Sequence, residues 1–148
     1  MAYFTRPPTP TARQLQRFRE GPLMDYKTFL DTITRRAPVP PEKAEPLTRA
    51  TLETLAERLT RGEAEDLASE LPKPLQEPLV SPTPEAEPFG LDEFINRVSR
   101  RAEVSPDEAR EGVRAELSTL RDAVSDGEFR HVMSQLPQDF EALVGAPG

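Results

Sequence analysis

Phe29-Leu30-Asp31-Thr32-Ile33-Thr34-Arg35-Arg36-Ala37-Pro38-Val39 returns 65 residues later as Phe94-Ile95-Asn96-Arg97-Val98-Ser99-Arg100-Arg101-Ala102-Glu103-Val104. The phenylalanine, the dibasic pair, the alanine and the valine coincide. The same shift carries on without a gap. It places Pro41 on Pro106, Ala44 on Ala109, and Arg49, Ala50 and Leu52 on Arg114, Ala115 and Leu117. Further on, Gly62, Glu63, Leu71 and Pro72 meet Gly127, Glu128, Leu136 and Pro137. A fixed period without insertions marks an internal repeat. Two copies are too few for an open solenoid, which needs about three or more, so the copies are expected to pack face to face as one body.

Each copy has the periodicity of helices. Tyr26, Phe29, Leu30 and Ile33 correspond to Leu91, Phe94, Ile95 and Val98. The spacing i, i+3, i+4, i+7 puts them on one face of a helix. Arg35-Arg36 and Arg100-Arg101 close these helices, where positive charge suits the macrodipole. Ser105-Pro106-Asp107-Glu108 is a capping box with proline at the first helical position. It opens a second helix with the stripe Ala109, Val113, Leu117, Leu120 and Val124. The first copy runs in parallel through Ala44, Thr48, Leu52, Leu55 and Leu59. Pro46 removes an internal hydrogen bond, so its helix is expected to start only near Leu47. Gly62 and Gly127 are expected to stop these second helices. Short third helices follow, on Ala64, Leu67, Ala68 and Leu71 and on Phe129, Val132, Met133 and Leu136. Pro72 and Pro137 end them and open a last turn that buries Leu75 and Leu79, or Phe140, Leu143 and Val144.

The expected fold is therefore all-α: two tandem pseudo-symmetric units of three to four helices each, packed as one body around an apolar seam. Residues 24–80 form repeat one and residues 90–145 repeat two. Residues 81–89 hold Pro82, Pro84 and Pro88 and are expected to be an extended linker. Residues 1–23 stand apart as a basic arm.

These residues resemble a bacterial family catalogued as domain of unknown function 2267. The resemblance rests on Asp25-Tyr26 with Phe29-Leu30, on the stretch from Gly62 to Ala68, and on Leu71-Pro72. In the second copy it rests on Asp126 to Phe129 and on Gln135-Leu136-Pro137. It covers nearly all of Met24 to Val144. It implies an all-helical fold, brings no activity, ligand or catalytic residue with it, and leaves residues 1–23 outside.

Composition narrows the chemistry. The absence of cysteine removes disulfides, thiolate metal sites and a cysteine nucleophile. No apolar run approaches the roughly 20 residues needed to span a bilayer, and a cytoplasmic location is the default. Arg6, Arg13, Arg17 and Arg19 against Glu20 give the first 22 residues a charge of +3, which leaves −10 for the remainder of a chain whose total is −7. An acidic body repels a phosphate backbone, so nucleic acid is not an expected partner.

No serine elbow, phosphate loop or dinucleotide fingerprint is present. No catalytic residue, cofactor or metal is expected, and the chain is not read as an enzyme. His131 is the single histidine. With no second histidine or cysteine it is read as a surface residue, not a transition-metal ligand. Glu63, Glu65, Asp66 and Glu70 are read as a solvated acidic face at a helix start. Gly62-Glu63 and Gly127-Glu128 are read as a helix stop followed by an N-terminal carboxylate, or, more sharply, as ion pairs in which Glu63 reaches Arg35, Arg36 or Arg49 and Glu128 reaches Arg100, Arg101 or Arg114.

The arm offers the candidate partner-binding residues. Leu15 and Phe18 share a helical face, with Arg13, Arg17 and Arg19 around it, and Gly21-Pro22 ends the segment. Such a basic amphipathic piece suits a groove or an acidic surface on a protein partner. The expected role is a non-enzymatic interaction or adaptor protein. The alternative is a nucleic-acid-associated regulator, because short helices joined at glycine imitate a helix-turn-helix.

Overall fold

A computed structural model describes residues 23–80 and 86–145, and every regular element among them is helical. The order is α1 (Tyr26–Arg36), a 3-10 turn (Pro41–Lys43), α2 (Ala44–Arg58), α3 (Arg61–Ala68), α4 (Lys73–Leu79), α5 (Leu91–Ala102), α6 (Pro106–Ala123), α7 (Asp126–Ser134) and α8 (Gln138–Val144). None of these helices is long and apolar enough to cross a membrane.

Local sequence explains where the helices begin and end. Asp25 caps α1, accepting from the Thr28 N–H at 2.8 Å. The helix ends at Ala37, whose extended backbone is what a residue before proline prefers. The capping box of α6 is complete. The Glu108 N–H donates to Ser105 Oγ, and the Ser105 N–H donates to Glu108 Oε1 at 3.0 Å.

Two expected boundaries are corrected. α2 starts at Ala44, not near Leu47, and holds Pro46 in its first turn. The first four N–H groups of a helix have no internal partner, so proline removes nothing there. Gly62 and Gly127 do not stop helices either; each is the second residue of the helix that follows. The stops are the extended residues Leu59 and Val124, and Thr60 and Ser125 then cap the next helices.

The core is one cluster that draws on both halves. Phe29, Ile33, Leu47, Leu52 and Leu55 are fully buried in it together with Phe94, Val98, Val113, Leu117 and Phe140. The halves interlock: α1 packs on α6, α5 packs on α2, α2 meets α6, and α3 meets α7. At the crossing of α2 and α6, Gly112 lies against the Leu47 side chain. A Cβ there would come within 2.7 Å of Leu47 Cδ2. Leu75, Leu79 and Phe140 are buried as expected, whereas Leu143 and Val144 are only half-buried at the end of the last helix.

Residues 86–90, where the expected linker meets the second half, carry no helix and are tied down. The Glu87 N–H donates to the Glu57 carbonyl, and Arg58 Nε donates to the Phe89 carbonyl. Arg97 lies 3.9 Å over the Phe89 ring and also pairs with Glu57, Glu87 and Glu93. Burial would raise the Glu57 carboxyl, but hydrogen bonds from Arg101 and Arg97 outweigh it and hold the group below its ordinary value. Arginine here is a strap between α2, α5 and the connecting segment.

Candidate functional site

Thr60-Arg61-Gly62-Glu63 and Ser125-Asp126-Gly127-Glu128 both have the S/T-x-x-E pattern of a capping box. Only half of each box forms. The Thr60 and Ser125 hydroxyls accept from the N–H of Glu63 and Glu128, each at 3.3 Å. The N–H of each cap residue is taken by the opposite half of the molecule. Thr60 N–H donates to Gln135 Oε1 at 2.9 Å, and Ser125 N–H donates to Glu70 Oε1 at 2.8 Å. The side chains close the pairing, with Gln135 Nε2 donating to Thr60 Oγ1 and Ser125 Oγ donating to Glu70 Oε2. The start of α3 is thus tied to the end of α7, and the start of α7 to the end of α3. The two helices lie antiparallel.

This exchange decides where two carboxylates go. Glu63 and Glu128 are no longer needed at the cap N–H groups, and both are buried between the helices, at 8% and 0% exposure. Glu63 Oε2 is sealed from solvent and has no hydrogen-bond partner. His131 stands one turn beyond Glu128 on α7 and is exposed. One ligand atom from each of Glu63, Glu128 and His131 lies within 4.8 Å of the others. Two carboxylate oxygens and an imidazole nitrogen are a donor set that can hold a divalent cation, with the histidine side open to water.

Three expectations change here. Of the acidic cluster, Glu65 and Asp66 are exposed, but Glu63 and Glu70 are buried between helices. The arginines proposed for Glu63 point elsewhere: Arg35 to Thr32, Arg36 to Ser118 and Asp122, and Arg49 to Glu77. Those proposed for Glu128 also have other partners. Arg100 pairs with Glu93, Arg101 with Glu57, and Arg114 with Glu111. These arginines go across to the other half, along their own helix or, for Arg49, to a neighbouring helix of the same half. His131 is at the surface as expected, but two carboxylates from two helices stand beside it. The signal for this was the repeated S/T-x-x-E pattern together with a polar side chain at positions 70 and 135, able to take over the cap.

A second buried carboxyl lies deeper. Glu116 on α6 is fully buried, and Thr48 Oγ1 on α2 donates to its Oε2 at 3.0 Å, while Oε1 has no partner. Burial pushes this carboxyl up to about 8, and the Thr48 hydrogen bond offsets only part of that. Burial therefore favours its neutral, protonated form.

On the surface, a recess of about 580 Å³ lies between α6, α7 and α8. Phe129, Met133 and Val144 supply its apolar wall, with Arg121, Arg130 and Glu141 around them. The candidate partner-binding residues Arg13, Leu15, Arg17, Phe18 and Arg19 lie outside the described residues.

No curated protein sequence matches the chain. Residues 26–143 match the family model described as "Uncharacterized conserved protein (DUF2267)". That span takes in all eight helices but the final residue of α8, including the α3–α7 seam with Glu63, Glu128 and His131, and the chain belongs to the DUF2267 family.

Proposed function

We propose that the protein is a cytosolic, non-enzymatic interaction protein, built from a duplicated helical unit whose halves are fused into one body. The supporting observation is the recess between α6, α7 and α8. It is an apolar hollow walled by Phe129, Met133 and Val144 in a body whose larger apolar side chains are otherwise mostly buried. Two arginines, Arg121 and Arg130, flank it on a body that is acidic as a whole. The occupant with matching chemistry is a partner segment that presents an apolar anchor next to an acidic residue. An aromatic wall around an anchor is the usual centre of binding energy in an interface, and the arginines supply charge-assisted bonds to a carboxylate. The arm residues Arg13, Leu15, Arg17, Phe18 and Arg19 are the second proposed contact, suited to an acidic partner surface.

The test is affinity capture from the native cell with wild type, Phe129→Ala and Arg130→Glu. A partner bound through the recess should be weakened about tenfold or more by Phe129→Ala, as hot-spot truncations are. Arg130→Glu should weaken it as well, with helicity unchanged. A partner captured equally by all three proteins would count against the recess. A partner lost only when residues 1–23 are deleted would move the contact to the arm.

A further inference from the structure

We propose that the seam between α3 and α7 is a binding site for a first-row divalent metal ion, with Zn2+ as the matching species and Glu63, Glu128 and His131 as its three protein ligands. Three observations carry this. The ligand atoms of the three side chains converge within 4.8 Å of one another from two different helices. Glu63 is more than nine-tenths buried, and its Oε2 is enclosed without a hydrogen-bond partner. An enclosed carboxylate oxygen with no donor is costly unless a cation or proton meets it. The third observation is the exchanged capping, which holds both glutamates away from the cap N–H groups that such residues ordinarily serve.

The chemistry selects the ion. Imidazole nitrogen favours zinc and its neighbours over calcium and magnesium, which prefer oxygen shells of six or more. Three protein ligands with one side open fit a four-coordinate zinc completed by water. In a tetrahedral site, zinc bonds of about 2.0–2.2 Å put ligand atoms roughly 3.3–3.6 Å apart. The cluster, within 4.8 Å, needs to draw in by no more than about 1.5 Å, and the exposed His131 side chain has room to turn. The helix α7 supplies Glu128-x-x-His131, two donors one turn apart on one face. The matching pair on α3 is Glu63-x-x-Asp66, with an exposed aspartate in place of the histidine.

The chain has one histidine and no cysteine, which makes zinc binding easy to assign. The experiment is calorimetric titration of the full chain with ZnCl2, paired with thermal unfolding with and without the metal. His131→Ala and Glu63→Gln are the variants, and CaCl2 is the control. Wild type should bind one zinc per chain, and zinc should raise its unfolding midpoint, because a ligand of the folded state stabilises it. Each variant should lose more than the roughly 10–100-fold that even an outer partner of a metal costs, and its midpoint should no longer respond to zinc. His131 is exposed, so His131→Ala keeps the fold. Glu63→Gln removes one of two adjacent carboxylates and should unfold no lower than metal-free wild type, with no response to zinc. A purely structural role for Glu63 gives no such split. Absence of zinc binding, a zinc response retained in either variant, or a response to calcium in place of zinc would each overturn the proposal.

Discussion

Residues 26–79 and residues 91–144 have the same helix order, and α1 and α5, α3 and α7, and α4 and α8 each begin 65 residues apart. Several of their differences fall where the halves touch. Leu47 faces Gly112, and these two positions are themselves 65 apart. A leucine at both would overlap at the crossing of α2 and α6, so one half carries the large side chain and the other carries none. Glu116 sits where the first half has Thr51, and both are fully buried. Glu70 and Gln135 perform the same cap exchange with different chemistry. At the one crossing where counterparts meet, Leu47 against Gly112, both cannot be large for steric reasons. Positions that face the rest of the core can stay identical, and Phe29 and Phe94 are both fully buried phenylalanines.

The largest effect tests that last pair. Phe29→Ala and Phe94→Ala should each cost about 3–5 kcal/mol in chemical denaturation, the range for removing a packed ring. Phe94 should lose more. Its ring meets Phe140 edge-on at 5.1 Å and 84°, where the first half has Leu75. Such ring pairs contribute about 0.5–1.5 kcal/mol beyond burial. A small loss at either site would mean that the two phenylalanines are not equivalent pillars of the core.

Glu116 has no acidic counterpart in the first half and should give the body a pH dependence of its own. Its folded value of about 8 lies above its ordinary 4.5. Between those values the folded chain holds a proton that the unfolded chain has released. The stability associated with Glu116 is therefore intact below about pH 4.5 and is lost as pH rises toward 8. At about 1.4 kcal/mol per pH unit for a full proton, the full loss is on the order of 5 kcal/mol. Glu116→Gln keeps an oxygen for Thr48 and removes the ionisation. Urea denaturation at pH 5, 7 and 9 should show the variant gaining on wild type as pH rises. Parallel curves would mean that Glu116 finds a cation or water in the core.

The contact of Leu47 with Gly112 predicts a change of sign. In wild type, Gly112→Ala puts a Cβ against a fully buried leucine and should cost about 1–3 kcal/mol, as overpacking does. With Leu47→Ala already in place, the same change should stabilise by about 0.5–1 kcal/mol, the ordinary advantage of alanine over glycine inside a helix. A double-mutant cycle measures this directly. Additive effects would show that the two helices adjust freely and that the asymmetry at their crossing is incidental.

Most of the architecture was legible because it depends on period and on caps. The apolar spacing around Phe29 and Phe94 and the box at Ser105 are local signals, and the helices follow them. What was illegible depended on the partner surface. Gly62 and Gly127 read as stops because glycine after an apolar stripe is the common stop. Here Thr60 and Ser125 already begin the next helix, so the glycines fall in its first turn, where they cost little. The seam at Glu63 and Glu128 is hidden from the sequence for a related reason. A glutamate three residues after a cap ordinarily bends back to it in solvent. Only the arrival of Glu70 and Gln135 from the other half releases it inward, and sequence order says nothing of which helices lie antiparallel. Glu116 gave no sign, since an acidic residue among apolar ones on a long helix is usually at the surface.

The smallest predicted effect lies where α1 and α5 end. The first half has Pro38 after Ala37, and proline cannot take a positive φ, so the chain leaves α1 extended. The second half has Glu103 at the equivalent position. It closes α5 with φ 56 and ψ 50, the one non-glycine residue with positive φ among the described residues. That conformation crowds the Cβ of an L-residue, and glycine adopts it without strain. Its side chain is exposed, so nothing in the core depends on it. Lys43 bonds its backbone carbonyl, a contact that survives any side-chain change. Glu103→Gly should therefore stabilise the fold, by about 0.5–1 kcal/mol once the greater freedom of glycine in the unfolded chain is subtracted. Thermal unfolding reads this as a rise of a few degrees. Glu103→Ala keeps the Cβ and loses the charge, and should leave the midpoint nearly unchanged. A gain in the alanine variant as large as in the glycine variant would place the effect in the carboxylate's charge near a helix C-terminus, where the macrodipole disfavours it. In that case the two halves would differ at this turn in electrostatics and not in backbone geometry.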